Sequence, residues 1–109
     1  ASPGEDEARI ALSYALAEQG YFDRAAENFA PLASAPGAGP DKLAAMGRYL
    51  LGGRRLDEAA AWFKQALKAD PADLDANFGL ARRSMFLGKF DDAASWCRRV
   101  LAAAPEHAE

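Results

Sequence analysis

The stretch LDEAAAWFKQALKADP at residues 56–71 decides the fold, because it recurs at one fixed spacing on either side. FDRAAENFAPLASAPG stands at residues 22–37 and FDDAASWCRRVLAAAP at residues 90–105. A shift of 34 residues aligns Ala25 with Ala59 and Ala93, Phe29 with Phe63 and Cys97, and Phe22 with Leu56 and Phe90. Upstream, Leu12, Met46 and Leu80 fall in step, each followed by a small residue: Ser13, Gly47 and Ala81. Leu32, Ala66 and Val100 repeat in the same register, as do Pro71 and Pro105. No gap is needed, so residues 6–39, 40–73 and 74–107 read as three consecutive copies within a single domain over 1–109.

Inside each copy the apolar residues recur every three and four positions, the period of an amphipathic helix. This predicts six helices near 5–19, 22–34, 41–52, 56–69, 74–87 and 90–103. Short turns at Gly20, Gly52-Gly53-Arg54 and Gly88 join the partners of a pair, and glycine just past a helix can adopt the left-handed conformation that closes it. Asp73 reads as a helix start, and Ser2-Pro3-Gly4-Glu5 as a capping box with proline in the first turn. Pro36, Pro40, Pro71 and Pro105 break the pattern between or after copies.

Composition agrees with a small folded unit. Half of the 109 residues are apolar and 27% are charged, enough to bury a core. Sixteen acidic against thirteen basic residues give a formal charge of −3, which argues against a nucleic-acid partner. One cysteine and one histidine supply neither an internal disulfide nor a structural zinc site, so no metal or cofactor is expected. No apolar run approaches the roughly 20 residues of a membrane span, so no membrane insertion is expected and a soluble protein, cytoplasmic rather than periplasmic, is the expectation. A chain that begins at Ala1 is expected to be a processed form or a segment of a larger protein.

A 34-residue helix-turn-helix copy with a Leu-small pair, a glycine turn, Ala-x-x-x-Phe and a closing proline resembles the tetratricopeptide repeat. The second copy supplies Met46-Gly47, Leu50 at the tyrosine position, Ala59, Phe63 and Pro71. The third supplies Leu80-Ala81, Gly88, Ala93, Cys97 in place of the aromatic, and Pro105. The first supplies Leu12-Ser13, Gly20, Ala25 and Phe29, with Gly37 at the proline position. Arg9, Leu43 and Asn77 stand where the early tryptophan would be. The resemblance implies an all-α, right-handed superhelical array of three helix pairs, an α-solenoid, whose concave side is lined by the first helix of each pair. It also implies a role in protein-protein interaction. The places of the clamp by which some members of the family hold a chaperone's C-terminal carboxylate carry Ile10, Tyr14, Ala45, Asp75 and Gly79 here, so that clamp is absent.

Small and aromatic positions have a packing reason. Ala25, Ala59 and Ala93 lie where the second helix of a copy crosses the first, and Phe29 and Phe63 one turn later, with Phe22, Leu56 and Phe90 at the helix start, are expected to fill the space between copies. Cys97 reads as a small hydrophobe in this row. Trp62 and Trp96 either pack between copies or shield an outer face.

Signals for catalysis are few. Any Ser-His-Asp or Cys-His-Asp set would need His107, two residues beyond the last proline. Asp57-Glu58 and Asp91-Asp92 open helices, where negative charge complements the dipole. Gly52-Gly53 lacks the spacing of a phosphate loop, and Arg54-Arg55, Arg82-Arg83 and Arg98-Arg99 are interleaved with acids. No enzyme activity is expected.

Function is then expected on the concave face. Its predicted lining is Glu7, Ile10, Tyr14 and Ala17, then Asp41, Ala44, Arg48 and Leu51, then Asp75, Phe78, Arg82 and Met85. Arg48 and Arg82, one copy apart, suit an acidic group, unless Asp41 and Asp75 pair with them. Tyr14, Leu51, Phe78 and Met85, with Ile10, offer apolar contact, although Phe78 and Met85 can equally pack on neighbouring helices. A partner segment with acidic and hydrophobic residues fits this face. The last pair is expected to expose apolar surface, open to a further helix, another repeat or self-association. Three roles follow: a scaffold within a larger, bacterial-looking Ala/Arg-rich protein, a small secretion or assembly chaperone, or a non-catalytic arm of an enzyme.

Overall fold

The structure, a computed structural model, describes residues 3–103. Ser2 of the expected capping box, Pro105 and His107 lie outside the described residues. Six helices and no strand are present among those residues: α1 (Pro3–Glu18), α2 (Phe22–Ala33), α3 (Pro40–Gly52), α4 (Leu56–Ala69), α5 (Leu74–Phe86) and α6 (Phe90–Ala103). Their bounds agree with the sequence expectation within two residues at every end. They pack as α1 on α2, α3 on α4 and α5 on α6, with α2 seated on α3, and α4 on α5. The result is an all-α helical-repeat solenoid measuring 42 × 26 × 23 Å.

The aligned alanines behave as the crossing argument requires. Ala25 and Ala59 have no exposed surface and Ala93 is 4% exposed. One turn on, Phe63 is wholly buried, and its ring occupies a slot between two helices that lack side chains where they face it. A Cβ built at Gly47 of α3 would lie 2.6 Å from a ring carbon, and one at Gly79 of α5 would also overlap the ring. These two glycines therefore let α3 and α5 close on Phe63 from both sides. Around Phe29 the matching positions are Ser13 and Ala45. There α1 rests on α2 but does not pack along α3 as α5 does.

Copy 1 joins its helices by polar contacts instead. Asn28, at the place of Trp62 and Trp96, donates through Nδ2 to the Arg9 carbonyl at 3.0 Å and to Ser13 Oγ at 2.8 Å. Arg9 returns a bond to the Asn28 carbonyl at 3.1 Å. In copy 3, Asn77 donates to the carbonyls of Asp73 and Pro71 at 2.9 and 3.1 Å, while Asp73 caps α5 by accepting from the Ala76 amide at 2.9 Å. Trp62 and Trp96 are half-buried against the core.

Two expectations about the repeats are corrected. The residue that turns left-handed after α3 is Arg54, with φ of 64°, while its counterparts Gly20 and Gly88 have φ of 87° and 74°. Gly53 stays at φ of −81°, and Gly52 ends α3. Gly52 is small for another reason, since a Cβ there would strike the Phe22 ring. Second, the start-of-helix aromatics are not equally inter-copy. Phe22 is half-buried on Gly52, but Phe90 is 69% exposed because no described helix follows α6. Cys97 is only half-buried for the same reason, and Leu101 is exposed. At the other end Leu12 is exposed, whereas Met46 and Leu80 are covered by a preceding copy.

Two stability outcomes follow. Gly79→Ala gains about 1 kcal/mol of helix propensity but overpacks the Phe63 slot by about 1–3 kcal/mol. Denaturant unfolding is expected to show net destabilisation that shrinks in a Phe63→Leu background; strict additivity of the two changes would contradict the slot. At position 54, glycine is expected to be more stable than alanine. Alanine keeps the left-handed strain of about 1 kcal/mol and glycine does not. Equal melting midpoints for Arg54→Gly and Arg54→Ala would contradict the backbone assignment.

Candidate functional site

The gap between α1 and α3 forms a groove, and its floor is Tyr49, only 7% exposed. Tyr49 meets the Phe29 ring edge-on, with centroids 5.5 Å apart and planes at 73°, an arrangement aromatic rings favour. Burial pushes the Tyr49 phenol above its ordinary value; neighbouring Arg48 opposes that rise and Tyr14 adds to it.

Two cavities open on the groove and share Tyr14, Arg48 and Tyr49 as a common wall. The first, about 460 Å³, is predominantly apolar, with Ile10, Ala11 and Ala45 on its sides and Asp41, Lys42 and Asp75 at its rim. The second, about 470 Å³, is ringed by Arg48, Arg54 and Arg82, with Ala17, Glu18, Phe22 and Gly52 completing it. The groove therefore has an apolar compartment beside a cationic one.

The structure brings together Ile10, Tyr14, Arg48 and Arg82 of the expected site, along with Ala17, Asp41 and Asp75. Ile10 is 41% and Tyr14 60% exposed. Arg48 is paired with Asp75 at 3.2 Å, both side chains being well exposed, so the bond is worth at most about 1 kcal/mol and is exchangeable. Arg82, half-buried, has no ion-pair partner among the described residues.

Leu51 is corrected: it has no exposed surface and belongs to the core, as does Ala44. The face of α3 that lines the groove is turned one position from the expected one and runs through Asp41, Ala45, Arg48, Tyr49 and Gly52. Phe78 and Met85 are each about half exposed, yet they line neither cavity. Among the groove residues outside the expected lining, Tyr49 and Arg54 matter most. The small residues Ala45 and Gly52, spaced around Arg48 by three and four positions, were the available signal for Tyr49. For Arg54 the signal was its place in the repeat, where Gly20 and Gly88 stand in the other copies.

The acidic rim has its own electrostatics. Burial pushes the Asp73 carboxyl above the usual carboxylate range; its bond from the Ala76 amide opposes this, and Asp75, Asp70 and Asp41 reinforce it. At the other end of the same helices, Arg54 on the last carbonyls of α3 and Arg83 in the last turn of α5 complement the dipoles. No group of three metal-ligating side chains occurs among the described residues. No helix there is long and apolar enough to cross a membrane.

Comparison with known proteins agrees with this architecture. A sequence profile of the tetratricopeptide repeat matches residues 50–109. No curated protein matches the chain by sequence. Among solved structures, the crystal structure of PcrH in complex with the chaperone binding region of PopB superposes with a TM-score of 0.84 at 21% identity. The match covers 98% of this chain and 89% of that one. At that identity the likeness is one of fold.

The Asp73 carboxyl, raised in the folded state, opposes folding when charged, and that opposition disappears as pH falls through its titration. Asp73→Asn keeps an oxygen for the Ala76 amide and removes the charge. Relative to wild type it is expected to be stabilised at pH 7, with the advantage fading toward pH 4. Asp73→Ala loses the cap and is expected to be destabilised by about 1 kcal/mol. An advantage of Asp73→Asn that stays constant with pH would contradict the assignment.

Proposed function

The chain belongs to the tetratricopeptide repeat family, and from that premise we propose that it is a non-catalytic protein-interaction module. Its groove between the first helices holds a segment of a partner protein. The observation that carries this reading is the pair of adjoining cavities on the inner faces of α1 and α3, one apolar and one cationic. An apolar side chain of the segment sits against Ile10, Ala11 and Ala45. An acidic one approaches Arg82, and Arg48 can join it by releasing Asp75. Buried anchors of this kind supply most of the affinity of a small interface, and the charges supply register and rate of encounter.

A second reading concerns the biological setting. PcrH, which shares the fold over nearly the whole of both chains, was crystallised with a chaperone binding region of another protein. That favours a small chaperone that shields a segment of its client over a passive scaffold. Deletion of the protein is then expected to lower the level of the client it contacts in cells, identified by photo-crosslinking from the groove. An undiminished client would favour the scaffold.

Peptides selected from a random dodecapeptide phage library against the wild-type protein test the groove directly. Their affinities, measured by fluorescence anisotropy, are expected to fall about 10-fold or more with Ile10→Glu or Arg82→Glu, since each change places an unpaired charge or a repulsion at an anchor. Leu101→Glu on α6 is expected to leave them unchanged. Loss with Leu101→Glu and none with the groove variants would move the site to the exposed face of α6.

A further inference from the structure

The turn after α3 departs from its two counterparts at the left-handed position, and the residue there lines the groove's cationic cavity. Where Gly20 and Gly88 take the left-handed conformation freely, copy 2 places Arg54 at φ of 64°. A side chain is disfavoured there because its Cβ crowds the following carbonyl, and strained residues of this kind concentrate at functional sites. The Arg54 guanidinium is held in place. Its carbon lies 4.1 Å from the centre of the Phe86 ring. Its Nη1 donates to the Gly52 carbonyl at 3.1 Å and the Leu51 carbonyl at 3.4 Å. None of these partners is a carboxylate, so Arg54 has no ion-pair partner among the described residues.

Arg82 faces the same cavity with no ion-pair partner among the described residues, whereas Arg48 is answered by Asp75. Glu18 is the one acid in the lining. Two unanswered guanidiniums against one carboxylate leave a single net positive charge, in a chain whose overall charge is −3. The missing group is a monoanion with oxygen acceptors. The phenols of Tyr14 and Tyr49 stand in the same lining and add neutral donors.

We propose that this cavity is a subsite for one carboxylate of the bound segment, an aspartate or glutamate side chain, and that Arg54 is the residue that sets the preference. The proposal rests on the groove reading above and adds to it which position of the ligand must be acidic. The apolar cavity shares a wall with this one, so the acid lies close in sequence to the apolar anchor. Stacking on Phe86 matters because a guanidinium already fixed in orientation loses little freedom when it binds.

Arg54→Gly is an unusually clean variant, since the backbone at this position suits glycine and the fold is retained. Dodecapeptides enriched on the wild-type protein are synthesised as matched pairs, with the acid or its amide at the position beside the apolar anchor. Wild type is expected to prefer the acid by about 10-fold, the scale of a charge-assisted bond. Arg54→Gly is expected to bind both members alike, at the affinity wild type shows for the amide. Retention of the acid preference by Arg54→Gly, or its absence from wild type, overturns the subsite; loss of binding on Ile10→Glu in the same peptides then shows that the groove reading stands. Enriched peptides indifferent to Ile10→Glu overturn both.

Discussion

The fold depends on the slot that Phe63 fills. A fully buried phenylalanine contributes about 1.5–3 kcal/mol from burial alone, and this one also sets distances. With Gly47 on one side and Gly79 on the other, the ring is gripped by backbone, and α3, α4 and α5 become one tightly packed group. Tight packing of three helices around one ring leaves little room for adjustment. Copies 2 and 3 thereby meet across a closed interface.

The groove follows from what is missing around Phe29. Ser13 and Ala45 replace the two glycines, Tyr49 stands on the Phe29 ring, and α1 is tied to α2 by the Arg9, Ser13 and Asn28 bonds rather than along α3. The same repeat thus produces a closed interface in one place and an open one in the next. The groove proposed as the site is built from departures from the chain's own periodicity: Asn28 for tryptophan, Tyr49 where Ala15 and Arg83 stand, and Arg54 for glycine.

That division also explains what the sequence reveals. The gap-free register locates the six helices and the crossing alanines, and the absence of strands among the described residues, because each depends on a pattern that is stated three times. Ile10, Tyr14, Arg48 and Arg82 were legible as groove residues from their place on the first helices. Leu51 was not, because an apolar residue one position off the groove face looks the same in sequence as one on it, and only the rotation of α3 about its axis distinguishes them. Tyr49 and Arg54 depend on contacts with Phe29 and Phe86, 20 and 32 residues away in the chain, and no local pattern encodes such pairings. The exposure of Leu12, Phe90 and Leu101 follows from a general property of stacked repeats, whose terminal copies lack a neighbour on one side.

The inner faces of α1 and α3 are proposed to form the ligand site, and a structure of the protein bound to a dodecapeptide selected on it is the decisive measurement. An apolar side chain of the peptide is expected against Ile10, Ala11 and Ala45, with the chain running over Tyr49 between the two helices. A peptide seated instead on the exposed surface of α6, beside Phe90 and Leu101, with the groove empty, would contradict it.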